Sequence, residues 1–307
     1  MRLESAPDRP MEQKDVLNRI TRLNYCELLE TVPATEPTPD FSGGVFRKVQ
    51  LDLGETDQES LLVLEKNLLK NLQDPYLLSD PESSGAGESF CLQWQKIPSL
   101  SLREVFKILS KRELVVENQY LMLRLVLDVC SRAGQVQRYF ESDGPIGFTL
   151  AGGNFDNVRL AEDGRLFSIG FSDLSSEREF RVAPTHYSQT YPPEILVPGQ
   201  RLTEKAELFA AGILLFNAAV SKPLISTSKA DDSLIYRLFM GVHPRIAEFY
   251  PKLQPLDSVM RQAIDWFPDR RQQGLDEFNE ELATLIDALF PGAGEADFRI
   301  LYDQCSN

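Results

Sequence analysis

No apolar run in the 307 residues approaches the roughly 18 that a membrane-spanning helix needs. Net positive charge is lacking too. With 46 acidic against 32 basic side chains, the formal charge of −14 disfavours nucleic acid or an anionic membrane as the main partner. A polyphosphate would be welcome only at a local basic cradle. Cys26, Cys91, Cys130 and Cys305 are widely spaced with no C-x-x-C, so a zinc site is not expected; their even number permits disulfides without requiring them. No N-x-[ST] sequon argues for a glycosylated surface, and residues 1–10 are too polar for the hydrophobic region of a secretory signal.

What is present suffices for a sizeable core: 42% of residues are apolar and 25% charged, ordinary for a globular chain. Val16, Ile20 and Leu23 recur at helical spacing, which predicts an amphipathic helix over 11–23. Residues 25–32 and 45–53 read as strands separated by a Pro-rich stretch over 33–40, which no central strand would tolerate. Residues 56–72 predict a helix whose Leu61, Leu68 and Leu72 share a stripe with Glu65. A carboxylate within an apolar stripe needs a cation or donor facing it. Strands are expected over 76–82 and 89–94, and helices over 102–109, 114–133, 204–220, 232–240, 256–266 and 275–290. Between the second and third of these helices, a hairpin is expected from Asn157 onward with its turn at Gly164. The boundary between the strand-rich and helical halves falls near residues 95–98.

Several strings then resemble the protein-kinase fold from about Tyr25 to Phe290. Val45-Phe46-Arg47-Lys48 sits where V-A-I-K would, and Tyr191-Pro192-Pro193-Glu194 is similar to A-P-E. Residues 65–75 resemble the C-helix run that ends at His-Pro, with Asp74 for the His. Glu207 to Gly212 resembles D-x-W-S-x-G, and Pro268-Asp269-Arg270-Arg271 the late P-x-x-R. The resemblance implies an α+β, bilobal protein-kinase-like fold with a small β-rich N-lobe (24–97) and a larger helical C-lobe (98–290). An N-terminal helical extension (1–23) and a C-terminal tail (291–307) flank them.

The same alignment exposes missing chemistry. A kinase catalytic loop reads H-R-D-L-x-x-x-N, with Asp as base and Asn on a metal. With Asn157 at that Asn, the base position is Gly152 and the loop lysine position is Asn154. D-F-G falls on Gly170-Phe171-Ser172, so the metal-holding carboxylate is absent. The phosphate-covering loop, placed at residues 32–40, has three prolines and no glycine. Asp156, Asp163 and Asp173 are the nearby carboxylates, each displaced from the motif positions. What the resemblance leaves is structural. Lys48 and Glu65 are candidates for the strand–helix ion pair, with a surface lysine and a solvated glutamate as the alternative. Glu194 and Arg271 match the pair that ties the activation segment to the helical lobe. Asn157 is read as capping its loop. Lys48, Glu65 and Asn157 are thus remnants of a cofactor site, and neither cofactor nor metal is expected.

The chain therefore resembles a pseudokinase, and within that class the rhoptry family of secreted apicomplexan parasite proteins. The features are the helical N-terminal extension, the long helix around residues 117–135, the hairpin over 155–166 and Pro-Pro-Glu for Ala-Pro-Glu. This implies a secreted binding scaffold in the parasitophorous vacuole or cyst wall, with a protein partner such as another parasite or cyst wall protein. An oxidising setting for the cysteines would follow. A nucleotide or small-molecule sensor without phosphoryl transfer is the alternative, and an enzyme of altered chemistry the third reading.

Overall fold

The computed structural model describes residues 15–22, 26–33, 45–50, 58–71, 76–78, 81–84, 91–112, 116–141, 147–149, 155, 157–171, 173–175, 192–196, 203–224 and 239–306. Along several strands, and for most of the third, the backbone alone is described. The first layer is a five-stranded antiparallel sheet made of β1 (Asp15–Arg22), β2 (Cys26–Pro33), β3 (Val45–Gln50), β4 (Glu82–Ser84) and β5 (Cys91–Gln95). Its spatial order is β1-β2-β3-β5-β4. Helix α1 (Gln58–Asn71) packs on β3 and β5.

The expected N-terminal helix is instead strand β1 over Asp15–Arg22, paired with β2. The register jumps between Leu17 and Arg19, so Asn18 is an inserted residue. Such a bulge breaks the two-residue period by which a strand is recognised. Apolar residues three and four apart then mimic a helix, although the β-branched Val16, Ile20 and Thr21 favour a strand. The buried stripe of α1 is also rotated from the expected one. Leu62, Glu65 and Leu69 are fully buried, while Leu68 is only partly so.

Residues 96–98 lead from the sheet into the helical half. There β6 (Ser99–Ser101) pairs with β8 (Val158–Ala161), which pairs with β9 (Leu166–Ser168). Helix α2 (Leu102–Leu109) starts with a capping box in which Ser101 and Glu104 satisfy each other's backbone N–H groups. The core is carried by α3 (Val116–Glu141) and α4 (Glu204–Val220), whose residues from Ala206 onward are all buried. Strands β7 (Gly147–Thr149) and β10 (Asp173–Ser175) form a separate pair, and β10 lies against α1. Helices α5 (Leu256–Ala263) and α6 (Leu275–Leu289) pack on α4, and α6 also packs on α3. The C-terminal stretch, for which no element was expected, forms α7 (Arg299–Ser306), docked on α2, β6 and β8. The helix expected over 232–240 lies mostly outside the described residues. Among the described residues no helix is long and apolar enough to cross a membrane.

Gly212 shows how tightly the helical half is assembled. A Cβ on it would stand 2.5 Å from Ile264 Cγ2 and 2.9 Å from Ala263 Cβ, so α4 and α5 approach through its missing side chain. Gly212→Val is expected to cost about 1–3 kcal/mol through overpacking. Thermal denaturation would show it as a lowered midpoint, and an unchanged midpoint would refute the close approach.

Candidate functional site

The hairpin of β8 and β9 places the residues that a kinase would use. Asn157, fully buried, donates its amide to Ser168 Oγ at 3.3 Å and to the Gly170 carbonyl at 3.2 Å. Ser168 Oγ donates to the same carbonyl at 2.8 Å. Asn157 Oδ1 has no hydrogen-bond partner among the described residues. Asn157 thus fastens the end of β9 to the start of its own strand. Gly170 sits at φ +62°, a left-handed conformation natural to glycine. The next residue, Phe171, donates its N–H to Glu65 Oε1 at 3.0 Å, so the buried acid of α1 is met by a backbone donor. The β9 backbone is also tied to residues 76–78, through Ser168 N to Tyr76 O at 2.6 Å and Leu78 N to Ser168 O at 3.0 Å.

Two buried side chains, one from the sheet and one from the hairpin, meet across the two halves. Phe46, on β3, is 0% exposed, and Arg159, on β8, is 2% exposed. The Arg159 guanidinium lies 5.0 Å from the centre of the Phe46 ring, a desolvated cation–π contact across the two halves. Arg159 also donates to Ser99 Oγ at 3.3 Å and to the Ser99 carbonyl at 3.2 Å, which ties it to the strand that follows residues 96–98. Neither residue was singled out from the sequence, although a signal was there. Phe46 stands where V-A-I-K has its small alanine, and Arg159 is two residues after Asn157.

Glu194 and Arg271 form a buried, bidentate ion pair. Arg271 Nη1 lies 2.7 Å from Glu194 Oε1, and Nη2 lies 2.8 Å from Oε2. The same guanidinium donates to the carbonyls of Asp265 at 2.8 Å and Lys205 at 2.5 Å, and stacks 5.1 Å from the Phe209 ring centre. Lys205 in turn donates to the Gln272 carbonyl. Glu194 lies in a short 3-10 turn, Pro193–Leu196, and Arg271 follows another, Pro268–Arg270. The pair thereby pins two irregular segments to the start of α4.

The remaining residues singled out from the sequence divide as follows. Lys48 lies on β3 opposite Leu28 and Leu92, but its side chain, and so the ion pair with Glu65, lies outside the described residues. Gly152, Asn154 and Asp156 lie outside them as well. Asp173 pairs through its backbone with Thr149. Asp163 sits in the hairpin turn, separated from Asn157 by β8, about 13 Å of strand, and by Glu162. Its carboxylate accepts from Arg165 N at 3.0 Å and Arg165 Nε at 2.6 Å. The backbone hydrogen bond from Arg165, then its guanidinium, holds the Asp163 carboxyl below its ordinary value. It is a turn residue and takes no part in the cleft. Behind the cleft, burial pushes the Cys130 thiol and the Tyr76 hydroxyl well up, with Glu207 adding to both. Cys130 and Cys305 are free, buried thiols, so the four cysteines do not make two disulfides. Among the described residues no group of His, Cys, Asp and Glu is arranged to hold a metal.

The registration of β1 also moves the loop that would cover a phosphate. With Lys48 on the third strand, as the kinase arrangement requires, residues 23–25 join the first two strands and residues 34–44 join the second to the third. Residues 32–40, expected to cover the phosphates, therefore run on from the second strand and not the first, because Asp15–Arg22 is a strand and not a helix. The corrected link, Leu23-Asn24-Tyr25, has no glycine either.

Comparison with solved structures gives the fold. The chain is similar to the Mycobacterium tuberculosis PknI kinase domain, at 17% identity and a TM-score of 0.60, covering 89% of this chain and 96% of that one. A second structure of the same domain gives 15% identity and a TM-score of 0.58, over 92% and 100% of the two chains. A double mutant of it gives 18% and 0.57, over 93% and 100%. The fold is that of a protein kinase, α+β and bilobal. No family model matches the sequence, and no curated protein does.

Arg271→Ala would leave Glu194 buried without its cation, at an expected cost of about 3–5 kcal/mol. Arg271→Lys should recover only part of this, because an ammonium cannot reproduce the planar fork. Chemical denaturation of the three proteins measures both effects, and equal stability of wild type and Arg271→Ala would refute the role.

Proposed function

We propose that this chain is a pseudokinase: a kinase fold that neither binds ATP productively nor transfers phosphate, and that serves as a binding scaffold for a protein partner. The observation that supports the reading is the buried Phe46–Arg159 stack, because Phe46 stands at the small alanine of V-A-I-K and Arg159 two residues after Asn157, so a bulky pair stands beside the motif positions. The absent carboxylates support it. Gly170 stands where a metal-holding Asp is needed, and Gly152 where the base is needed. Phosphoryl transfer depends on positioning and charge neutralisation, and groups acting as a unit are not lost additively. Asn157 would be the one metal ligand left of the set, and a single amide oxygen without a carboxylate beside it is a weak site for Mg²⁺.

The finer reading is a secreted, rhoptry-type member, a compact one like the bradyzoite pseudokinase of the cyst wall, working in the vacuole or cyst wall beside other parasite proteins. It rests on the long α3, the β8–β9 hairpin and Pro192-Pro193-Glu194. The N-terminal helix no longer contributes, because Asp15–Arg22 is a strand.

Thermal unfolding with and without millimolar ATP and Mg²⁺ tests the reading. A ligand at a hundredfold excess over its Kd adds about 2.7 kcal/mol, so binding would raise the midpoint by several degrees. The wild-type midpoint is expected not to move, and single-turnover assays with labelled ATP to show no transfer. A clear rise without transfer would replace this reading with a nucleotide sensor, and transfer would end both. The double variant Phe46→Ala, Arg159→Leu, with the stack removed, is expected to gain a nucleotide-dependent shift if it folds. The wild-type result decides the question by itself.

A further inference from the structure

The surface of the helical half carries a second concave site, and it is of a different chemical kind. A cleft of about 540 Å³ opens between residues 239–243, α5 and the segment that follows it. Its lining is largely polar, with Ser258, Gln262 and two arginines, but Phe239, Met240, Trp266 and Phe267 form one apolar, mainly aromatic side of it. Phe239 is 49% exposed, Met240 53% and Phe267 44%, an unusual outlay of large apolar surface in one place. The rings brace each other, with Phe239 edge-on to Trp266 at 5.4 Å and to Phe267 at 6.3 Å.

Two cations flank these walls. The Arg270 guanidinium lies 4.5 Å from the Phe267 ring centre, and Arg261 projects from the last turn of α5. Neither forms an ion pair with a described carboxylate. Among the described lining residues the one acid is Asp265, whose carboxylate accepts the Phe267 N–H at 2.8 Å. His243 is partly buried there and burial lowers its pKa, so it adds no charge at neutral pH. In a chain of net charge −14, a cleft with two unspent guanidinium groups is a local reversal of sign.

We propose that this cleft docks a short acidic peptide segment of a partner protein, with an aromatic or large aliphatic side chain seated among Phe239, Met240 and Trp266. Carboxylates beside that anchor engage Arg261 and Arg270. Exposed aromatics, methionine and arginine are the residue types that concentrate in interface cores and hot spots. Guanidinium groups select carboxylates through paired hydrogen bonds. A free inorganic anion would gain nothing from the ring wall, and an anionic membrane would meet the acidic remainder of the surface. The inference does not depend on the catalytic status of the interlobe cleft.

The test is selection from a random peptide library on the immobilised full chain, followed by fluorescence anisotropy with the enriched peptides. The expected consensus places Asp or Glu around a Trp, Phe, Leu or Ile. Arg261→Glu and Arg270→Glu are each expected to weaken the enriched peptide about tenfold or more, and added salt to weaken it further. Phe239→Ala is expected to weaken a matched peptide whose acids are kept, while far-ultraviolet circular dichroism and the melting midpoint stay those of the wild type. A basic or uncharged consensus overturns the proposal, as does enrichment of no acidic motif or binding indifferent to both charge reversals. Sedimentation as a dimer that Arg261→Glu dissociates would give the cleft to a second copy of the chain, and would overturn it as well.

Discussion

The helical half depends on a charge that has nowhere to go. Arg271 is buried, and a guanidinium removed from water is tolerable only when its donors are spent on acceptors held in fixed positions. Those acceptors come from three places in the sequence: the Glu194 carboxylate, the Lys205 carbonyl at the start of α4, and the Asp265 carbonyl after α5. Phe209 closes the remaining face. Irregular backbone at residues 193–196 and 268–270 is therefore as determined as any helix. Such a pair need not be more stabilising than a hydrophobic substitute. Its effect is that alternative arrangements strand a buried charge, which is a penalty on misfolding more than a gain on folding.

The cleft between the lobes follows a different rule. A catalytic site keeps polar groups unspent so that a ligand can use them, and it keeps a space into which the ligand fits. Several polar groups here are turned inward: Glu65 accepts from the backbone of Phe171, the Asn157 NH2 donates within its own hairpin, and Arg159 donates to Ser99 while stacking on Phe46. Glu65 and Arg159 thereby link elements of the two halves.

Much of the fold was legible because its long elements are strongly periodic. The helix expected over 204–220 is α4 to the residue, and the hairpin around Gly164 stands where its turn chemistry placed it. The failures have specific causes. A single inserted residue at Asn18 hid β1, and that error carried forward to the phosphate loop, since counting strands decides which connection covers the cleft. Leucines lie on more than one face of α1, and packing buries Leu69 more deeply than Leu68. The arginine–phenylalanine stack was missed for another reason. A lost catalytic residue leaves a visible gap in a motif, whereas an added side chain leaves none.

Added and lost residues together constrain the protein more than either alone. Were the missing carboxylates the only change, restoring an Asp at Gly170 would go far towards recovering a metal site. The backbone there is left-handed, however, and its carbonyl is the acceptor for both Asn157 and Ser168. Asp tolerates that φ better than most side chains, but its carboxylate would compete for the amide of Asn157 that now holds the strand end. On the proposed reading, a nucleotide would in addition have to separate Phe46 from Arg159 and leave a buried cation without its ring. The two obstacles are coupled through β8, which carries Asn157 at its entrance and Arg159 within it. Relieving one without the other leaves a charge or a hydrogen bond unpaired, so the present arrangement is a local minimum that single substitutions do not leave.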